Sequence, residues 1–164
     1  SVGKSRQFEE YQMIPLDKSW MSETVRIAFM PIKPVYAEKI IDGSKKFEFR
    51  RASIKGDLTH LIIYASSPVK RILGVAIVDG VDISPPLEAW GNTKHAAGIS
   101  RADFLHYFQG KEKAVTIKFK DILPLGRYVC PKEIEVGFKV PQSFKYVQFD
   151  FLQDVFIKGN SIAA

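Results

Sequence analysis

Apolar residues in this chain come in short blocks whose spacing changes along its length. The run Val25, Ile27, Phe29 over 25–32 is strand-like and closes at Pro31. Pro34 stands where a helix can begin, since proline suits the first helical turn. Tyr36, Ala37, Ile40 and Ile41 then follow a spacing near 3.6, and Gly43 supplies a C-terminal stop. From 45 to 51 the period drops to two: Phe47 and Phe49 alternate with Lys46, Glu48 and Arg50, as in a half-buried strand. Further strands are predicted over 58–65 and 72–78, with Ser66-Ser67-Pro68 as the turn between them. A short helix is expected over 85–94, carrying Leu87 and Trp90. Ser100 followed by Asp103 resembles a capping box, so a second helix burying Phe104, Leu105 and Phe108 should run toward Gly110. Residues 113–121, with Val115, Ile117 and Phe119 on one face, read as a strand. Residues 134–138 are a weaker strand candidate, and 146–151 the last strand before a tail.

Strand, helix, several strands, two short helices and strands again is not the alternation of a doubly wound sheet. It predicts an α+β fold on a small, strongly curved sheet or barrel, with short helices beside a cleft. No repeat or low-complexity tract interrupts it. Residues 1–24 are polar and aperiodic and begin without Met, so they are expected to be an arm or the end of an upstream domain in a longer chain. The domain proper is expected over 25–148, with a strand end and tail over 149–164.

Composition narrows the class. At 164 residues and 18.5 kDa one domain is expected, large enough to bury a core without a metal or disulfide staple. A hydrophobic content of 46% excludes a disordered chain, and no apolar run approaches a membrane span. The single cysteine, Cys130, excludes an internal disulfide and fits a reducing compartment, so a cytoplasmic location is expected. Three scattered histidines show no ligand spacing, and neither metal nor cofactor is expected. The formal charge of +6 is concentrated. Lys45, Lys46, Arg50, Arg51 and Lys55 face only Glu48 over 45–55, and Lys70 and Arg71 follow. Such a patch fits an anionic partner, nucleic acid first, or else a strand edge guarded by lysines; charge alone leaves both open.

The segment 43–50 reads G-x-K-x-x-E-x-R. Glu48 and Arg50 lie two apart on one strand and share a face, while Phe47 and Phe49 point into the core. Lys45 sits at the helix–strand corner, where it can curl round to the polar face. The set can clamp a phosphate through Lys45 and Arg50 with Glu48 orienting them, or accept a hydrogen bond from a base N–H. It can equally be a surface ion pair contributing ~0–1 kcal/mol.

Pro31-Ile32-Lys33-Pro34 with Tyr36 to Ile40, followed by that motif, resembles the ASCH domain family of the PUA-like superfamily of curved β-barrels. Three further blocks, 63–70, 98–111 and 141–146, resemble the small prokaryotic members, so the likeness spans about 25–148. The resemblance implies RNA or nucleotide binding in a cleft lined by Lys45, Glu48 and Arg50. Ser66, Ser67, Lys70, Gln142 and Ser143 are expected to face the same cleft. Of the neighbours Lys70 and Arg71, at most one should do so. Tyr64 or Tyr146 could stack on a base, or pack in the core.

Some members are similar to amidohydrolases of N4-acetylcytidine, in which a lysine at the position of Lys45 activates a threonine at the position of Glu48. Here that position is a carboxylate, and the stretch of the later family glutamate reads His95-Ala96-Ala97-Gly98, which argues against the same chemistry. Others are similar to ribonucleases, and Lys45 and Glu48 are then the catalytic candidates. Three readings stand: a binding module for RNA or a nucleotide, a hydrolase of RNA or a modified nucleoside, and a regulatory domain taking a small ligand or a protein partner.

Overall fold

The computed structural model describes residues 25–160, so the expected arm over 1–24 lies outside it. Among the described residues six strands form one sheet: β1 (Ile27–Ile32), β2 (Phe47–Arg50), β3 (His60–Ala65), β4 (Arg71–Ser84), β5 (Ala114–Val129) and β6 (Lys145–Val147). Their order is β2-β5-β4-β3-β1-β6, and only β1 and β3 run parallel. The sheet curls into a half-barrel, giving an α+β fold. Among the described residues four α-helices complete it: α1 (Pro34–Ile41), α2 (Pro86–Thr93), α3 (Arg101–Tyr107) and α4 (Phe149–Gly159). Among the described residues, no helix is long and apolar enough to cross a membrane.

The runs over 25–32 and 58–65 are nearly all apolar because β1 and β3 are buried on both faces. Ala28, Met30, Leu61 and Ile63 pack on one side, where α1 contributes Ala37 and Ile40. Phe29, Ile62 and Tyr64 pack on the other, against Phe151, Leu152 and Val155 of α4. A third cluster joins Phe47 and Phe49 of β2 to Phe104 of α3 and Phe108 at its C-terminal end.

The punctuation works as expected in three places. Pro34 opens α1, and Gly43 follows its end with φ +87°, a left-handed conformation that favours glycine. Ser100 caps α3, its Oγ accepting from the Asp103 amide at 3.1 Å. Asp103 makes no reciprocal bond; its side chain lines a cleft instead.

Two readings are corrected. Residues 146–151 are not one strand: β6 ends at Val147, and Phe149 begins α4. Val147, Phe149 and Phe151 alternate with polar residues and mimic a strand. The buried Phe149, Leu152 and Val155 are spaced by three, and tertiary packing selects the helix. Residues 134–138 form no strand either. A 3-10 turn over Pro131–Glu133 precedes them, Val136 is 96% exposed, and Gly137 has φ +81°.

Candidate functional site

The motif lies at the mouth of a cleft of about 400 Å³ bounded by β2, the β1–α1 junction and α3. Main-chain bonds build its floor. Lys45 N donates to Lys39 O at the end of α1, and Lys46 N to Ala96 O. The loop after α2 therefore lies directly over the Lys45 stem. Gly98, at φ +67°, approaches so closely that a Cβ there would stand 2.5 Å from Lys45 Cβ and Cγ.

Lys45 is only 2% exposed. Its Nζ donates to Ala97 O at 2.6 Å and lies 4.8 Å from the Phe49 ring centroid and 5.3 Å from that of Tyr36. It thus reaches the cleft across the phenylalanine face, as it precedes β2 and escapes strand alternation. Burial lowers its pKa from 10.5 to about 8; Glu48 opposes that shift, while Lys39 and Arg50 add to it.

Glu48 is also buried, at 7% exposure, and its Oε2 accepts from Arg50 Nη2 at 2.9 Å. Arg50 Nη2 also donates to Pro31 O at 2.9 Å, and Nη1 to Ser143 O at 3.4 Å. Glu48 and Arg50 therefore form a braced, largely buried unit rather than a solvated surface pair. Lys45 and Glu48 make no ion pair with each other: the ammonium is held by Ala97 and the carboxylate by Arg50.

Sequence reasoning did not select Tyr36, Asp103, His106 and Tyr107, which line the same cleft. The last three share one face of α3 by their spacing of three and four, opposite Phe104 and Phe108. That pattern is legible, but which side the helix presents to β2 is not. Burial, then the charges of Asp103 and Glu48, raise the Tyr36 pKa above its usual value.

Ser66, Ser67, Lys70 and Gln142 do not face this cleft. They line a neighbouring groove of about 580 Å³, and Pro31 borders both. Ser143 links the two through its carbonyl bond to Arg50. Lys70 and Arg71 both line the groove, contrary to strand alternation, because Lys70 is a turn residue with φ 53° that precedes β4. Lys132 joins them, and among the described residues no carboxylate lines the groove.

Tyr64 is 5% exposed and packs on Phe29 with ring centroids 5.2 Å apart. Tyr146 is 38% exposed but already engaged: its hydroxyl accepts from Lys55 N at 3.1 Å, and the Arg26 guanidinium lies 5.4 Å from its ring centroid. Arg51 lies outside the cleft lining, over the Tyr107 ring. Among the described residues, no three His, Cys, Asp or Glu side chains gather as a metal site would need.

The ASCH domain model matches residues 30–123. An ASCH domain-containing ribonuclease of Zymomonas mobilis is 31% identical over 124 residues, covering 74% of this chain and 84% of that protein. The crystal structure of ASCH from Zymomonas mobilis superposes with a TM-score of 0.71 at 30% identity, over 77% of this chain and 91% of that one. A serine-to-alanine mutant from the same organism gives 0.74 at 27% identity, over 80% and 95%.

Proposed function

Because the chain belongs to the ASCH domain family, we propose that it binds RNA across the cleft and the groove that meet at Pro31. The observation that carries this reading is the pairing of two unlike surfaces. The groove gathers Lys70, Arg71 and Lys132 with no opposing carboxylate among the described residues, which suits a phosphate backbone. The cleft holds a buried, partly unpaired set of Lys45, Glu48 and Arg50, which suits one nucleotide.

Fluorescence anisotropy with a labelled single-stranded RNA tests it. Three phosphate contacts give a log K against log salt slope of about −2. Replacing Lys70, Arg71 and Lys132 together by glutamine should remove most of that slope. No binding at low salt, or a salt-independent affinity, sinks the reading.

A second reading is RNA cleavage, favoured by the Zymomonas relative that bears the name ribonuclease. Here Glu48 takes the proton of a 2′-hydroxyl, whose oxygen bonds to phosphorus as the bond to the 5′-oxygen breaks. Lys45, poised near pH 8, returns a proton to that leaving oxygen. Release of a 5′-hydroxyl fragment by the native protein, lost in Glu48→Gln, supports this reading. Intact RNA after prolonged incubation removes it.

A further inference from the structure

The cleft contains a donor and an acceptor that the protein holds apart and leaves half used. Lys45 Nζ spends one hydrogen bond on Ala97 O and lies against the Phe49 and Tyr36 rings, and no second hydrogen-bond acceptor meets it among the described residues. Glu48 gives Oε2 to Arg50, and its Oε1 has no partner among them either. Both residues are more than nine-tenths buried, yet Glu48 Oε1 is not among the buried unpartnered atoms of the described residues, so this open oxygen is reached from the cleft. Glu48 and Asp103 set two carboxylates among the cleft's cations Lys33, Lys45 and Arg50, whereas the groove beside it holds only cations among its described charged residues, so phosphate is favoured in the groove. What fits is a neutral group that offers an acceptor to Lys45 and an N–H to Glu48 from adjacent positions.

We propose that the cleft reads a nucleobase whose edge places a carbonyl next to a ring N–H, that is, guanine or uracil, and rejects adenine and cytosine. The carbonyl accepts from Lys45 and the ring N–H donates to Glu48 Oε1. Arg50 holds the carboxylate so that it need not reorganise, and Tyr36 and Tyr107 wall the base. Adenine presents no carbonyl, and neither adenine nor cytosine carries a ring N–H at that position, so Glu48 would lose its donor. This assignment rests on the RNA-binding reading above.

The test uses anisotropy with adenine hexaribonucleotides that carry one guanine, uracil or cytosine, beside the all-adenine strand. A second pair carries N1-methylguanine or N3-methyluracil, in which a methyl group replaces the ring N–H. One two-point base contact discriminates by roughly 10- to 100-fold. We expect that preference for guanine or uracil, its loss on methylation of the preferred base, and its fall below threefold in Glu48→Gln. The methylated strands keep the test decisive if the variant does not fold. Equal affinity for all strands, preference for cytosine or adenine, or indifference to methylation overturns the base assignment while leaving RNA binding intact. Failure of every strand to bind at low salt overturns both.

Discussion

Lys45→Met separates a residue kept for binding from one kept for stability. The native ammonium is 2% exposed, and burial lowers its pKa from 10.5 to about 8. At neutral pH the folded protein therefore holds a charge at a cost of about 3 kcal/mol relative to the unfolded chain. Methionine keeps the stem that packs under Gly98 and can contact the Phe49 and Tyr36 rings through sulfur. It leaves Ala97 O without its donor, a loss of about 1–3 kcal/mol. The balance predicts a variant between equal to and about 2 kcal/mol more stable than the native protein at pH 7. Urea unfolding followed by the fluorescence of Trp90, which packs on Phe104, measures it. The pH dependence adds a second check. Below pH 8 Lys45 is charged in both states and the full cost is present. Between about 8 and 10.5 only the unfolded chain binds the proton, so native stability rises with pH. The advantage of the variant should shrink by about 3 kcal/mol across that window, while its preference among RNA bases is lost at every pH. A variant less stable by more than about 2 kcal/mol at pH 7, or an advantage unchanged by pH, refutes the reasoning.

Gly98→Ala places a Cβ 2.5 Å from Lys45 Cβ and Cγ at a φ of +67°, so thermal unfolding should show a loss of about 2–4 kcal/mol. An unchanged Tm would mean that the loop over Lys45 moves freely. His60 at the start of β3 has its pKa pushed by burial from 6.5 down to about 4, so the unfolded chain takes up the proton first as pH falls. Native stability should drop by up to about 3 kcal/mol between pH 6.5 and 4. His60→Gln should flatten that limb, and an identical acid profile in the variant would rule His60 out as its cause.

Much of the fold is legible in local pattern. The 3.6 spacing after Pro34, the stop at Gly43, the alternation through Phe47 and Phe49 and the cap at Ser100 each follow from one turn of chain and its immediate neighbours. The C-terminal helix is missed because Val147, Phe149 and Phe151 satisfy a period of two as well as Phe149, Leu152 and Val155 satisfy a helix. Packing on Phe29 and Ile62 decides between them. In the site, Lys45, Glu48 and Arg50 are legible as a cluster because a short strand carries two of them and its corner the third. Tyr36, Asp103, His106 and Tyr107 are not, because they reach the cleft from elements whose relative placement depends on long-range contacts.

Local pattern is enough to specify an α+β domain with a concentrated basic segment and a G-x-K-x-x-E-x-R motif at a helix–strand corner. Those properties depend on residue type and spacing alone. Tertiary structure decided what the motif becomes. It buried Lys45 beneath Gly98, braced Glu48 through Arg50 against Pro31 and Ser143, and moved Ser66, Ser67, Lys70 and Gln142 into a separate groove. The reason is electrostatic. A cation interacts weakly with its neighbours when exposed to water and strongly when desolvated, and desolvation depends on elements distant in the chain.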